Sequence, residues 1–400
     1  MPSPLLMIPG PVTLSPSVQE ALAAPPLAHN DPLFVQAFGQ CLSNVRRVAQ
    51  GGPGSTSFVI PGGGTTAMEM AIVNVVEPGV KVLVVVTGLF GDRMAEMVRR
   101  RGGEAIVVTA PPGQVPDSET IDRMLSDDHG IHVMTMTHVD TSTGVRVDVQ
   151  ELLRIGANRG VITIVDAVCS LGGESLAMFD SGAGVVLSAS QKALGGPPGL
   201  ALMVVAPWAM EARRRLKLLP PLSLDWLAWE PVMVAYERRG FAYFGTPATS
   251  LVWGLNVALG GLFQDAALGA QSLWNQVAVH ARAAAAVRAG LRAMNLRLLA
   301  ADDAHAANTV TAAYYPEGLS GSLVDAVRDE GVIIARGLHP AVQNETFRIG
   351  HMGWVASRDV DLLRTLEAVA RGLKRCGSEV NDVAALDAAT EILVASGAVL

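Results

Sequence analysis

From about residue 57 to 206, short runs that are apolar at nearly every position alternate with longer stretches in which apolar residues recur every three or four. The runs at 81–88 (KVLVVVTG), 104–110 (EAIVVTA), 131–138 (IHVMTMTH), 161–168 (VITIVDAV), 183–190 (AGVVLSAS) and 200–206 (LALMVVA) predict strands. Their lack of polar alternation marks strands covered on both faces. Between them, the spacing at 65–76, 92–102, 118–128 and 148–160 predicts helices. Strand and helix in repetition imply an α/β unit with a mostly parallel sheet, whose ligands sit at the carboxyl ends of the strands.

After about residue 250 the texture changes. Two long helical patterns, 250–264 and the alanine-rich 268–295, lead to short strand-like runs: 308–316 (NTVTAAYYP), 331–336 (GVIIAR) and 346–352 (TFRIGHM). Helical spacing at 319–330 and 359–376 falls among and after them, and 381–400 predicts a last amphipathic helix. The expected organisation is an N-terminal segment (1–20), a large α/β domain (21–262), a smaller α+β domain (263–375) and a C-terminal helical extension (376–400). No internal repeat or low-complexity linker interrupts it.

Composition narrows the function classes. Half of the 400 residues are hydrophobic and the formal charge is −7, with only short basic runs at 97–103 and 213–217. That pattern argues against a nucleic-acid partner. The three cysteines, Cys41, Cys169 and Cys376, stand far apart with no metal-like spacing, so no metal is expected and a reducing cytoplasm is. The start, MPSPLLMIPGPV, has no basic n-region, and no apolar run approaches the roughly 18 residues of a membrane helix.

Three features collect at predicted strand ends. Lys192, in SASQKALGGPPGLALM, is ringed by the small residues Ser190, Ala193, Gly195 and Gly196. It is either a lysine with its head in water or an amine held in a pocket to attack a carbonyl. Asp166 ends an apolar strand, where a carboxylate needs a cation or strong donors, though a turn-capping Asp would also serve. The turn in IPGGGTTAMEM runs into a helix at Thr65, and backbone N–H groups at such a start make an anion site. It is neither a Walker loop nor GxGxxG. Pyridoxal phosphate asks for this trio: a phosphate cradle, a carboxylate on the pyridine nitrogen and a lysine for the Schiff base.

The motifs IPGPVTLSPSVQEAL, THVDTSTGV, IVDAVCSLGG, SQKALGGPPGLAL and FRIGHMG resemble, in order and spacing, those of the class V, fold-type I aminotransferases of the alanine–glyoxylate and serine–pyruvate group. The resemblance implies a large domain with a seven-stranded type of sheet and a ping-pong transamination from a small amino acid to glyoxylate or pyruvate. It implies that Lys192 carries the cofactor as a Schiff base, Asp166 pairs with the pyridine nitrogen and Val168 packs on one ring face. Gly64, Thr65 and Thr66, assisted by Gln191, would hold the phosphate; Thr141 or Ser142 would lie near the 3′-oxygen. Phe90 occupies the position of a stacking aromatic, and Arg348 that of the guanidinium for the substrate carboxylate. Tyr243 and Thr246 match a pair that reaches the neighbouring subunit's phosphate, which implies a homodimer with shared active sites, or a tetramer built from it.

Two departures stand out. Asn30, in AHNDPLF, replaces a cation near the substrate entrance, and IARGLHP lacks a Gly-rich loop, with Arg336 expected to face solvent. His138 and His351 are expected to be structural. The competing enzyme reading is a pyridoxamine–pyruvate aminotransferase, which takes the unphosphorylated vitamer as substrate. A desulfurase would need a mobile cysteine, whereas Cys376 is expected on a surface helix. From another class, a cofactor-free scaffold would have no chemical need for Lys192, Asp166 and Arg348 together.

Overall fold

The computed structural model describes residues 4–263 and 270–397. Residues 264, 268 and 269 of the two long predicted helices, and 398–400 of the last, lie outside these. A seven-stranded sheet runs in the order Thr56–Pro61, Leu200–Val205, Val185–Ala189, Ile162–Asp166, Ile131–Thr137, Lys81–Val86, Glu104–Thr109. Leu200–Val205 is antiparallel to both its neighbours, and every other adjacent pair is parallel. The six strands read from the sequence are all present. Thr56–Pro61 was not among them: it is an edge strand that ends in a proline, so turn signals mask it.

Burial explains the apolar runs. Leu83, Val84, Val165, Val185 and Leu187 are all but inaccessible in the central strands, whereas no residue of the edge strand Glu104–Thr109 is fully buried and Glu104, Val107 and Thr109 are exposed. Polar side chains cap two of the predicted helices: Asp117 accepts from the N–H of Thr120 at 3.0 Å, and Asp148 from that of Glu151 at 3.1 Å. Gly160, with φ +67°, ends the second of these helices in the left-handed region. Four further helices, Pro16–Ala23, Pro32–Val48, Pro207–Arg215 and Trp226–Glu237, fall where no periodic stretch was assigned.

A second core gathers around a three-stranded antiparallel sheet, Val310–Tyr314, Thr346–Gly350 and Ala335–Arg336. Helices Ala270–Ala293, Ser322–Asp329 and Asp359–Arg375 cover it through Val287, Leu323, Val327, Leu366 and Leu373. The last helix, Asp382–Gly397, buries Ala385, Ala389 and Leu393, a stripe at every fourth residue that joins this core. The run 331–336 is not one strand. Val332–Ile333 pairs in parallel with Leu5–Leu6, while Ala335–Arg336 pairs with Phe347 and Arg348, so the chain changes sheets at the buried Ile334. Among the described residues, no helix is long and apolar enough to cross a membrane.

Candidate active site

The carboxyl ends of Ile131–Thr137 and Ile162–Asp166 and the loop after Val185–Ala189 meet the N-terminus of the helix Gly64–Val73 around one cavity. Eight of the residues picked from the sequence line it: Gly64, Thr65, Phe90, Thr141, Asp166, Val168, Gln191 and Lys192. Met68, Thr137, Val139 and Cys169 complete the lining.

Lys192 sits in a loop tied back on itself. The N–H of Gly195 donates to the Lys192 carbonyl at 2.9 Å, with Gly195 at φ +68°, and the N–H of Gly196 donates to the Ser190 carbonyl at 2.9 Å. The amine donates to the carbonyl of Pro9, in the N-terminal segment. That segment is stitched down on both sides: the N–H of Val12 donates to the Gln191 carbonyl at 3.2 Å, and that of Gly350 to the Met7 carbonyl at 2.8 Å. Gly10 is needed where it is, since it has φ +93° and a Cβ there would stand 2.8 Å from the lysine nitrogen. Burial holds the Lys192 pKa below its ordinary value, and the nearby Arg348 charge acts in the same direction while Asp166 opposes it. A lysine so placed is biased towards the free amine, the nucleophilic form.

Asp166 is fully enclosed. One carboxylate oxygen accepts from the N–H of Val168 at 3.0 Å. Burial pushes its pKa up to about 7 and the Asp140 charge adds to this; the Val168 N–H, Lys192 and Arg93 pull the other way. A carboxyl poised in this way favours a cationic ring nitrogen beside it. Gly64 lets the helix start approach Val168, for a Cβ at Gly64 would meet a Val168 methyl at 2.9 Å.

The first-turn N–H groups of the helix Gly64–Val73 have no intrahelical acceptor and carry the positive end of its dipole. Thr65 and Thr66 differ here. The Thr66 hydroxyl accepts from the N–H of Gly63 at 3.2 Å and so caps its own helix. The Thr65 hydroxyl accepts from Arg93 Nη1 at 3.0 Å. Gln191 Oε1 is buried with no partner among the described residues, a polar atom left waiting at the cavity.

Phe90 is positioned from beneath. The buried Asp140 carboxylate accepts from the N–H groups of Phe90 (2.9 Å) and Gly91 (3.3 Å), and from the Ser142 N–H (2.9 Å) and hydroxyl (2.6 Å). Ser142 Oγ in turn accepts from the Leu89 N–H at 3.0 Å. Ser142 is thus spent on the start of the helix Leu89–Arg100, and it is Thr141 that faces the cavity. Arg348 lies just behind: Nη1 donates to the Thr141 carbonyl at 3.0 Å and Nε to the Arg336 carbonyl at 2.9 Å. Burial lowers its pKa to about 10, with Asp140 counteracting, which leaves the guanidinium charged.

Tyr243, Thr246 and Asn30, picked from the sequence, stand away from the cavity. Tyr243 is 63 % exposed; its hydroxyl lies 3.4 Å from that of Thr246, and its ring is 5.8 Å from the His29 ring. Asn30 borders a surface groove with Arg239 and Phe241. Arg336 points outward and donates to Asp325 at 2.7 Å. His138 and His351 are buried and held near pKa 3 by burial, hence neutral; His351 Nε2 lies 2.9 Å from the Thr311 hydroxyl. Sequence reasoning missed Asp140, Arg93 and Cys169. Arg93 was findable, since it follows Phe90 by three residues and shares its helix face. Asp140 and Cys169 carried no signal beyond being polar or reactive within motifs assigned to their neighbours.

Free backbone N–H donors at the helix start, a buried carboxyl and an amine biased towards its neutral form fit pyridoxal phosphate. The fold is that of the fold-type I aminotransferases: pyridoxamine-pyruvate aminotransferase from Mesorhizobium loti superposes with a TM-score of 0.90 at 26 % identity, covering 98 % of both chains. The aminotransferase class-V family model matches residues 29–363, and the chain belongs to that family as a pyridoxal phosphate-dependent aminotransferase. It is 34 % identical over 391 residues to an uncharacterized aminotransferase of Methanocaldococcus jannaschii, covering 98 % of this chain and 97 % of the relative. It is also 33 % identical to alanine–glyoxylate aminotransferase 1 of Saccharomyces cerevisiae, over 88 % of this chain and 92 % of the other.

Proposed function

We propose that the chain transfers the amino group of a small amino acid to glyoxylate or pyruvate in two half-reactions at this one cavity. The observation that carries the reading is the meeting of Lys192, Asp166 and the helix start at Gly64 around a single space. Pyridoxal phosphate bound there supplies an aldehyde that takes up the amino group and a ring that accepts the electron pair left by the α-proton. Lys192 holds the cofactor at rest and, once displaced, carries the α-proton as base and then as acid. Asp166 keeps the ring nitrogen protonated. Phe90 and Val168 confine the ring, and Thr141 sits near its 3′-oxygen. The N–H groups of Gly64, Thr65 and Thr66, with Gln191, hold the phosphate. Arg348 receives the substrate carboxylate with its planar fork.

The exposed pair Tyr243 and Thr246 fits a homodimer in which each chain lends these hydroxyls to its partner's phosphate, with Asn30 near the substrate entrance. Tyr243→Phe with Thr246→Ala should then weaken cofactor binding by about 1–3 kcal/mol per lost hydrogen bond. Mixed dimers with a Lys192→Ala chain should restore tight binding at the one site that has both a lysine and wild-type donors. A mixed dimer no tighter than the double variant would assign the pair to its own chain. The unpaired Cys41, Cys169 and Cys376 suit a reducing cytoplasm.

Single half-reactions with a panel of amino acids, followed by glyoxylate or pyruvate, test the acceptor. Small neutral donors with glyoxylate or pyruvate should regenerate the starting absorbance fastest. The close superposition on the Mesorhizobium loti enzyme favours one rival, in which free pyridoxamine is the donor. Sustained turnover of pyridoxamine with pyruvate, and none of amino acids with glyoxylate, would establish that rival instead.

A further inference from the structure

Against two residues of the cavity wall, Thr65 and Phe90, stands a cation that the functional reading leaves unused. Arg93 donates to the Thr65 hydroxyl at 3.0 Å, and its guanidinium carbon stands 4.9 Å from the centroid of the Phe90 ring. Arg100 and Arg101, at the far end of this helix, are engaged elsewhere. Arg100 pairs with Glu96 at 2.8 Å, and Arg101 donates to the carbonyls of Val76, Val73 and Leu218. Arg93 has no carboxylate within ion-pair distance among the described residues, yet its charge reaches Asp166.

An unpaired guanidinium beside a helix N-terminus is a site for a strong anion. A helix start offers only about half a positive charge, which leaves most of a phosphate dianion unmet. The Thr66 hydroxyl accepts from the Gly63 N–H, and its remaining O–H is a neutral donor that adds no charge. Arginine carries five N–H donors in a planar fork, and one of them goes to Thr65, so others remain for phosphate oxygens. Stacking on Phe90 limits the directions the fork can take.

We propose that Arg93 meets the cofactor's phosphate within its own chain and sets the preference of the site for the phosphorylated over the unphosphorylated vitamer. The inference rests on the reading of the cavity as the cofactor site. It makes charge recognition at the phosphate end a property of a single chain, separate from hydroxyls lent by a partner.

The test uses the full chain freed of cofactor and two aldehyde-free probes, pyridoxine 5′-phosphate and pyridoxine, so that binding is read without attachment to Lys192. Dissociation constants by fluorescence titration are compared for wild type, Arg93→Gln and Arg93→Lys. Wild type should prefer the phosphorylated probe. Arg93→Gln should lose about 10- to 100-fold in affinity for it, and about twofold or less for pyridoxine. Arg93→Lys should recover part of the loss, because it keeps the charge without the fork. Added salt should erode the preference of wild type more than that of Arg93→Gln. Equal losses for both probes would assign Arg93 to holding Phe90 and overturn the proposal, as would an unchanged preference in Arg93→Gln. A wild type that binds both probes alike would overturn the phosphate cradle itself and Arg93's part in it. If wild type binds neither probe, the cavity is not the cofactor site.

Discussion

Replacing Lys192 with alanine is expected to abolish transamination, by roughly 10⁴-fold or more, while leaving a folded protein. The size of the effect comes from two losses at one atom: the amine that holds the cofactor and the group that moves the α-proton. Nothing else at the cavity can stand in for it. Neither Asp166 nor Cys169 is an amine that could hold the cofactor, and burial, which pushes the Cys169 thiol up to about 12, keeps it protonated near neutral pH. Folding should survive because the lysine side chain bonds to the Pro9 carbonyl, while the segment beneath it is kept in place by the Val12–Gln191 and Gly350–Met7 backbone bonds. Borohydride reduction of the cofactor-loaded wild type gives the matching positive result. The sequence contains four lysines, of which Lys81 and Lys374 are paired with Asp128 and Asp382, and Lys217 is exposed. The reduced cofactor should be found on the Lys192 peptide alone; its appearance on any other lysine would remove the foundation of the mechanism.

Asp166→Asn is expected to lower turnover by roughly 10²- to 10³-fold with the visible colour retained. The amide keeps the shape and the bond from the Val168 N–H, but it cannot hold a proton on the ring nitrogen, so electron withdrawal weakens while attachment to Lys192 persists. Near-wild-type turnover would mean that another group faces that nitrogen. Linkage offers a second readout in the cofactor-free protein. The folded pKa of about 7 lies above the ordinary 3.8. The stabilisation from this carboxyl is therefore fully present below pH 3.8 and is lost as the pH rises through 7. Between pH 5 and 7 the stability of wild type relative to Asp166→Asn should fall by roughly 2 kcal/mol, with a slope that starts near 1.4 per pH unit and halves at the folded pKa. Paired denaturant titrations at the two pH values measure it. A constant difference would mean that the carboxyl is ionised throughout.

The alternation of apolar runs and helical spacing determined the α/β class, because strands buried on both faces and helices buried on one leave local, periodic marks. Lys192, Asp166 and the glycine-threonine turn were legible for a related reason. Strand ends in such a sheet share one edge, so residues near three strand ends are neighbours before any contact is known. The tertiary structure decided what depends on segments far apart in the chain. The Pro9 carbonyl reaches Lys192 only because Leu5–Leu6 pairs with Val332–Ile333 and lays the N-terminal segment across the site. The same holds for Asp140, whose carboxylate caps the helix that carries Phe90 and diverts Ser142 from the cavity, and for Arg348, brought behind Thr141 by a sheet in the other core. In 331–336, apolarity foretold burial but could not divide the run between two sheets, since both partners lie outside any local window. Periodicity records which side of an element is dry. Which hydrogen-bonding group stands opposite a given side chain is set by how the layers close on one another, and that closure is written in no single stretch of the chain.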